Sequence, residues 1–266
     1  MSNKDKSVVL GEIEKYCKLL RIKSFYRELA DMLEDPETLK MGHLEIIREA
    51  LLSEITQRDE NGLKRRLKTA GLKHQDACIE NVDYEPSRGL NPSMINTLST
   101  CDWIRSAQNC IITGMTGCGK TWLASALGNA ACRQGFSVRF VRVPRFLKEF
   151  SAHQQLDQGF MKELRELRRI DLLILDDWGI GQIDAGNRSD LLEIIEDRSG
   201  VGSTLVTSVL PVKVWAEYIK DATYADSILD RLVRNAHRID MFGESMRKKT
   251  KYGAIPVPTP DRDESS

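Results

Sequence analysis

One segment of this sequence combines residue types and spacing that suit it to hold a chain of phosphate groups. Residues 114 to 121, GMTGCGKT, match G-x-x-x-x-G-K-[ST] at every defined position and lie between an apolar run and a helical pattern. Glycines let backbone N–H groups turn inward around a β-phosphate, and the next helix presents its positive dipole end to the anion. We therefore predict a nucleotide site in which Lys120 neutralises phosphate oxygens and Thr121 ligates Mg²⁺; a chance glycine-rich turn is the alternative. The predicted nucleotide-binding residues are Gly114, Met115, Thr116, Gly117, Cys118, Gly119, Lys120, Thr121 and Trp122.

A second segment, residues 171 to 177 (DLLILDD), delivers two carboxylates at the end of a continuous apolar run. Such a run is typical of a strand buried on both faces, and ligands of open α/β sheets bind at the carboxyl ends of their strands. We expect Asp176 to hold Mg²⁺, mostly through water, and Asp177 to orient or polarise an attacking water. An acidic turn without catalytic function is the alternative.

An arginine further along the chain is a candidate for the catalytic charge that hydrolysis requires. Nucleotide hydrolysis needs positive charge at the γ-phosphate beyond the metal, and an arginine donated by a neighbouring subunit commonly supplies it. Arg231 is our candidate, within SILDRLVRNAHRID, with Arg234 and Arg238 as competitors. The alternative is a solvated arginine paired with a nearby acid on its own helix.

The elements that must position these residues follow from hydrophobic periodicity. Short apolar runs alternate with helical patterns, which predicts a parallel α/β sheet; the runs are residues 109–113, 137–143, 171–176 and 203–208. Residues 8 to 70 have helical spacing, and residues 80 to 92 carry two prolines and a glycine, as expected of a linker. The predicted organisation is a helical domain at 1–80, a linker at 81–92, an α/β domain at 93–252 and a flexible tail at 253–266.

Composition narrows the class of protein only modestly. Lysine plus arginine and aspartate plus glutamate both total 39, so affinity for nucleic acid would have to come from local basic patches. The six cysteines form no C-x-x-C pair, which disfavours zinc ribbons and disulfide frameworks and favours a reducing compartment. Without a signal core or a long apolar run, we expect a soluble cytoplasmic protein with no membrane contact.

Two basic segments are candidates for binding DNA phosphates. Residues 61 to 73 carry five cations and no acid, and a second group follows the predicted strand at 137–143 with i, i+3 spacing. A solvated helix face is the alternative for the first group, and salt bridges to acidic residues 157–166 are the alternative for the second. No helix-turn-helix or zinc finger indicates base-specific recognition. The residues predicted to bind DNA are Lys64, Arg65, Arg66, Lys68, Lys73, Arg142, Arg145 and Lys148.

With these residues placed, the chain resembles the IstB-type ATPases of bacterial insertion sequences, which are similar to the DnaC and DnaA branch of AAA+ proteins. The resemblance covers most of the chain. It implies an AAA+ core with five parallel strands in the order 5-1-4-3-2, a helical N-terminal domain, self-assembly with ATP on duplex DNA, and a transposase as partner. The segments that carry it are GMTGCGKTWLASALGNAA, LLILDDWG, TLVTSVLPVKVW, ADSILDRLVRNAHRIDMFGESMRKK and the helical region that ends in LKRRLKTAGL.

The resemblance also implies roles for single residues. Arg231 matches the trans-acting arginine of a D-R-L motif, and Arg247 in GESMRK resembles a second nucleotide-sensing arginine. Asp177 stands where most AAA+ proteins have glutamate, which implies slower hydrolysis. The polar γ-phosphate sensor would be Thr207 or Ser208, where many relatives have asparagine or glutamine.

The expected function is that of an ATP-dependent DNA-binding assembly factor in the bacterial cytoplasm. It would select or remodel target DNA and recruit or stimulate a transposase, with ATP hydrolysis driving disassembly. A DnaC-like loader of replicative helicase is the alternative, because it would share the same ATP chemistry. A metabolite kinase is a third possibility, disfavoured because residues 178 to 240 offer a D-R-L arginine and no evident substrate lid.

Overall fold

The four apolar runs form strands as predicted, and a fifth strand follows them. The structure is a computed structural model that describes residues 3–154 and 157–246. No helix in those ranges is long and apolar enough to cross a membrane. The strands are β1 Asn109–Gly114, β2 Val138–Arg142, β3 Leu172–Trp178, β4 Ser203–Ser208 and β5 Ala236–Met241. The helices are α1 Asn3–Leu20, α2 Lys23–Glu34, α3 His43–Ala70, α4 Pro92–Ser99, α5 Asp102–Arg105, α6 Lys120–Arg133, α7 Val143–Gln154, α8 Asp157–Arg169, α9 Ala185–Arg198, α10 Trp215–Ile219 and α11 Ala222–Val233.

The strands form one parallel sheet in the order β2-β3-β4-β1-β5. This is the predicted order read from the opposite edge, so the prediction is confirmed. The three central strands are the most deeply buried, which explains their continuous apolar sequences. Because all strands point the same way, the ends of β1, β3 and β4 meet at one edge, where ligands of such sheets bind.

The pairing of β3 with β4 is irregular where β3 ends. Leu175 pairs with Val206, but the next registered pair is Trp178 with Ser208, so β3 contains one extra residue there. Asp177 lies in this bulge with a left-handed φ of 63°. A bulge bends its strand, so the side chains of Asp176 and Asp177 do not alternate between the two faces of the sheet as they would in a regular strand.

Residues Met1–Arg65 form a first compact unit of helices. Helix α2 begins after Ile22, whose side chain cannot cap the helix. Glu54 of α3 replaces the cap, because its Oε2 accepts hydrogen bonds from the backbone N–H groups of Ser24 and Phe25 at 2.9 and 3.2 Å. Arg58 Nε donates to the other carboxylate oxygen at 2.7 Å. A buried charge thus fixes the start of α2 against α3.

The second unit begins at Arg66, and the linker at 81–92 stays a prediction. Residues after the division belong to the sheet-containing unit, where Leu72 and Ala77 are buried and Arg66 Nε donates to Cys132 O at 2.8 Å. Composition suggested a linker because proline and glycine interrupt the periodicity there. Arg88 in this stretch donates to the carbonyl oxygen of Cys118 and accepts from the N–H of Phe242. The tail predicted at 253–266 lies outside the described residues.

One buried arginine joins the layers of this unit. Arg198, at the end of α9, is 1% exposed, and burial lowers its pKa to about 10. Its guanidinium donates to the carbonyls of Leu167, Ile170 and Ser203, the last at 2.6 Å. These acceptors lie at the end of α8 and the start of β4. The arginine therefore donates to main-chain carbonyls where α8 ends and where β4 begins.

Replacement of this arginine tests its role in stability. We expect Arg198→Met to lower the free energy of unfolding by about 3 kcal/mol, because three buried carbonyls lose a charged donor. Urea denaturation measures the change, with Arg169→Met, an exposed position at the end of α8, as the matched control. A loss no larger than that of the control would contradict this assignment.

Candidate nucleotide-binding site

The phosphate loop joins β1 to α6 as predicted. Its glycines adopt positive φ angles of 151° at Gly114, 89° at Gly117 and 101° at Gly119, which residues with a Cβ rarely adopt. A Cβ at Gly114 would also lie 2.3 Å from the carbonyl oxygen of Met241. Gly119 brings no side-chain cap to α6, so the first N–H groups of that helix are suited to bind an anion.

Lys120 closes the loop with its own ammonium group. Its Nζ donates to the carbonyl oxygens of Gly114 and Met115, both at 2.8 Å, and the residue is only 8% exposed. The lysine is therefore already folded across the loop, at the place where phosphate oxygens of a bound nucleotide would need a cation.

Asp176 is the centre of the hydrogen-bond network at the strand ends. Its side chain is fully buried, and its Oδ1 accepts from the hydroxyls of Thr121 at 2.8 Å and Thr207 at 2.6 Å. Its Oδ2 is also buried and has no hydrogen-bond partner among the described residues. An unpaired buried carboxylate oxygen is unfavourable unless a cation or its water binds there. Thr121 and Asp176 together thus offer the hard oxygen ligands that a divalent cation prefers.

Asp177 points its carboxylate toward the cavity from the bulge in β3. Its backbone N–H donates to Thr207 Oγ1 at 3.2 Å, so one hydroxyl links the two consecutive aspartates. Arg142 Nε, at the end of the adjacent strand β2, donates to Asp177 Oδ2. Arg142 was predicted to bind DNA; in the structure it forms an ion pair with the candidate catalytic carboxylate, not with acidic residues 157–166.

These groups line a cavity of about 660 Å³. Basic side chains predominate over acidic ones in its wall, which suits it to a polyanion. Lys73, predicted to bind DNA, also lines this cavity, whereas Cys118 is buried behind the loop and Met115 is exposed outside it. The charged residues in the wall are Lys73, Asp83, Arg88, Lys120, Arg142 and Asp177, and the other lining residues include Thr116, Gly117, Gly119, Thr121, Trp122 and Val209.

The structure distinguishes between the two predicted sensor residues. Ser208 is fully buried and its hydroxyl donates to the carbonyl oxygen of Trp178 at 2.8 Å, on the main chain of β3. Thr207 instead bonds to Asp176 and Asp177, as described above. Thr207 is therefore the hydroxyl placed at the candidate metal and water site.

Arg231 lies outside the cavity of its own chain. On α11, its Nη2 donates to Glu196 of α9 at 2.7 Å and its Nη1 to the carbonyl oxygen of Ser227 at 2.9 Å. Its carboxylate partner lies on another helix, unlike the same-helix pairing considered from the sequence. The competitor Arg234 is more exposed and lies 3.9 Å from Asp230. Arg247 is outside the described residues.

The remaining residues predicted to bind DNA lie on helix surfaces. Arg65, Lys68 and Lys148 are exposed, and Arg66 is held by the Cys132 carbonyl. Lys64 is 3.8 Å from Glu60 and Arg145 is 2.7 Å from Glu149, both at i, i+4 spacing. Exposed pairs of this kind contribute little to stability, so both cations remain accessible to a polyanion.

Sequence reasoning missed Arg88 as a residue of this site. It belongs to the stretch interpreted as a linker, yet it is buried in the cavity wall and donates to the carbonyl oxygen of Cys118 in the phosphate loop at 3.1 Å. No motif signals such a contact, because the acceptor is a main-chain carbonyl thirty residues away.

Comparison with known proteins identifies the group to which this arrangement belongs. The family model of IstB-like ATP binding proteins matches residues 16–254. The chain belongs to this family. An insertion sequence ATP-binding protein of Sinorhizobium fredii is 43% identical over 225 residues, covering 85% of this chain and 91% of the relative. The ATP-binding protein of insertion sequence IS21 from Pseudomonas aeruginosa is 27% identical, with 92% of both chains covered.

Solved structures agree on the fold of this IstB-like protein. The DnaC helicase loader has a TM-score of 0.51 at 17% identity, covering 62% of this chain and 97% of the loader. AMPPCP-bound DnaA from Aquifex aeolicus has a TM-score of 0.52 at 16% identity, covering 70% of this chain and 58% of DnaA. At these identities the likeness establishes an AAA+ fold. The expected family and fold class are therefore confirmed, and the chain is an ATP-binding protein of that fold.

The hydroxyl that joins the two aspartates provides a specific test. We expect Thr207→Val to retain ATP binding but to slow hydrolysis by about 10- to 100-fold, because Asp176 and Asp177 lose the group that orients both. Steady-state phosphate release and nucleotide binding measure the two effects separately. Thr204→Val, a buried position on the same strand, is the matched control. Equal hydrolysis rates in the two variants would rule out this role.

Proposed function

We propose that this protein is an ATPase that assembles on duplex DNA with ATP, selects or remodels target DNA, and recruits or stimulates the transposase of its insertion sequence. The observation that carries the proposal is the position of Arg231. Lys120, Thr121 and Asp177 line one cavity, whereas Arg231 lies outside it, partly exposed and paired with Glu196. In the proposal it exchanges Glu196 for the nucleotide bound by a second copy. A site divided in this way makes hydrolysis depend on assembly.

In the proposed complex, the phosphate loop binds the β- and γ-phosphates of ATP. Lys120 exchanges the carbonyls of Gly114 and Met115 for phosphate oxygens, and the first N–H groups of α6 complete the anion site. Thr121 and Asp176 would hold Mg²⁺, which when bound neutralises charge on the phosphate oxygens. The unpaired Oδ2 of Asp176 supports this assignment.

Hydrolysis follows from the groups that surround the γ-phosphate. Asp177 orients and polarises the attacking water, and Thr207 fixes the position of its backbone N–H. The water oxygen bonds to the γ-phosphorus while the bond to the β–γ bridging oxygen breaks, and the electron pair of that bond stays on the bridging oxygen of ADP. The proton of the water passes to an oxygen of the released phosphate. Arg231 of a second copy stabilises the charge that develops on the γ-phosphate oxygens. Because ATP holds the copies together, hydrolysis releases them from DNA.

Two features support DNA and a transposase as partners. The exposed cations of α3 and α7, including Arg65, Lys68 and Lys148, suit contacts with phosphates, which would bind duplex DNA largely without sequence preference. The relatives are named ATP-binding proteins of insertion sequences, elements that need a transposase to move. The helicase-loader alternative is supported only by likeness of fold.

We place this activity in the bacterial cytoplasm, where DNA and ATP occur together. The six cysteines are unpaired, and five of them are buried. Free buried thiols of this kind are typical of proteins in a reducing compartment.

A substitution that blocks hydrolysis but not binding tests this function. We expect Asp177→Asn to bind ATP, to hydrolyse it at least about 100-fold more slowly, and to remain on duplex DNA after wild-type protein has dissociated, because the attacking water loses its carboxylate. ATP turnover and fluorescence anisotropy of labelled DNA measure both effects. Asp76→Asn, an exposed carboxylate of the same unit, is the control, and Lys120→Ala should fail to assemble at all.

Two outcomes would contradict the proposal. Equal turnover in Asp177→Asn and wild type would remove the catalytic assignment. Stimulation of replicative helicase loading by the full chain, with no effect on transposase activity, would favour the loader instead.

A further inference from the structure

Arg88 is a buried cation placed behind the phosphate loop. It is 7% exposed, its Nη2 donates to the carbonyl oxygen of Cys118 at 3.1 Å, and its Nη1 donates to that of Asp83 at 2.8 Å. The carboxylate of Asp83 is 3.7 Å away and 44% exposed, so the ion pair is long and partly screened. The buried guanidinium therefore makes its shortest contacts with main-chain carbonyl oxygens, one of which belongs to the candidate phosphate loop.

The Cys118 carbonyl belongs to the same peptide unit as the Gly119 N–H. A charged donor on a carbonyl polarises the whole peptide, which makes its N–H a stronger donor. In a phosphate loop that N–H faces the anion, so positive charge on one side of the peptide strengthens anion binding on the other. We propose that Arg88 is a positioning residue of the ATP site, which orients and polarises the peptide between Cys118 and Gly119 for binding the phosphates.

The close fit between the arginine and the loop supports this assignment. A Cβ at Gly119 would lie 2.8 Å from Arg88 Nη2, so the lack of a side chain leaves room for the guanidinium. Glycine also allows the φ of 101° at this position. A residue with a Cβ at this position would require the end of the Arg88 side chain to shift. The last glycine of the loop and Arg88 thus depend on each other.

Main-chain hydrogen bonds with Glu85 and Phe242 hold Arg88 in place. Its N–H donates to the carbonyl oxygen of Glu85 at 2.9 Å, and its own carbonyl accepts from Phe242 N at 3.0 Å. Gly89 follows with a φ of 67°, and a Cβ there would lie 2.5 Å from the ring of Phe242. The segment after β5 therefore fixes Arg88, which reduces the entropy lost when the loop closes on a ligand.

Comparison with Arg198 shows what a purely structural arginine looks like in this protein. Arg198 is more deeply buried, and its guanidinium donates to three carbonyl oxygens at the end of α8 and the start of β4. It does not line the candidate nucleotide cavity. Arg88 lines that cavity beside Lys120 and contacts the loop itself. Its charge also adds to a wall already suited to a polyanion.

The inference rests on the proposed ATP site, and it is tested by nucleotide affinity in the full-length protein. We expect Arg88→Ala to weaken binding of both ATP and ADP by about tenfold, as for loss of one charge-assisted hydrogen bond. Arg88→Lys, which retains the charge but not the fork, should lose less. Asp83→Asn removes a negative charge from the cavity wall but keeps the main-chain carbonyl that Arg88 contacts, so it should bind ATP about twofold more tightly at low salt. Arg133→Ala, an exposed arginine paired with Glu80 on the same unit, is the control.

Calorimetric titration gives the affinities, and thermal unfolding without nucleotide reports the folded state. If Arg88 merely stabilised the fold through Asp83, Asp83→Asn would weaken ATP binding as much as Arg88→Ala does, and this result would overturn the inference. Unchanged affinity in a folded Arg88→Ala protein would also overturn it. If Arg88→Ala fails to fold, the affinities of Arg88→Lys and Asp83→Asn still decide. A wild type that binds but never hydrolyses ATP would defeat the proposed function while leaving this inference intact.

Discussion

The burial of one carboxylate organises the candidate site. Asp176 is fully buried, and its Oδ1 joins the hydroxyl at the start of α6 to the hydroxyl at the end of β4. The phosphate loop, the central strand β3 and the candidate sensor Thr207 are thereby fixed to a single oxygen. Its second oxygen has no partner among the residues that the structure describes, so the protein retains a buried negative charge that a cation would stabilise. The buried, unpaired Oδ2 of Asp176 is thus unfavourable in the free protein, and binding of a cation there would remove this cost.

The backbone around Asp176 and Asp177 places their two carboxylates differently, as the proposed roles in metal binding and water activation require. Because the bulge in β3 gives Asp177 a left-handed conformation, the second aspartate reaches the cavity while the first stays in the core. Arg142 at the end of β2 then pairs with the partly buried carboxylate of Asp177, and Arg88 contacts the phosphate loop through the Cys118 carbonyl. Basic side chains therefore predominate in the cavity wall, which suits an anionic ligand such as ATP.

Local sequence was sufficient to predict the phosphate loop and the central strands, since continuous apolar runs and glycine spacing are properties of neighbouring residues. Strand β5 gave no comparable signal, because it lies at an edge and buries only Ile239 and Met241. The early boundary between the two units and the role of Arg88 depend on main-chain partners distant in sequence. The pairing of Arg142 with Asp177 depends on strand register, which composition cannot reveal. Charge predicted that Arg142 binds DNA, and the structure adds that this residue lines the candidate nucleotide cavity.

In the proposed assembly, one copy supplies the aspartates of each ATP site and another supplies Arg231. Mixing two inactive variants, Arg231→Ala and Asp177→Asn, tests this claim most directly, with ATP turnover on duplex DNA as the measurement. Each variant alone should be inactive. In an equal mixture, about a quarter of the sites should combine an intact aspartate with an intact arginine from the neighbouring copy, and activity should return. A mixture no more active than its two components would contradict the claim.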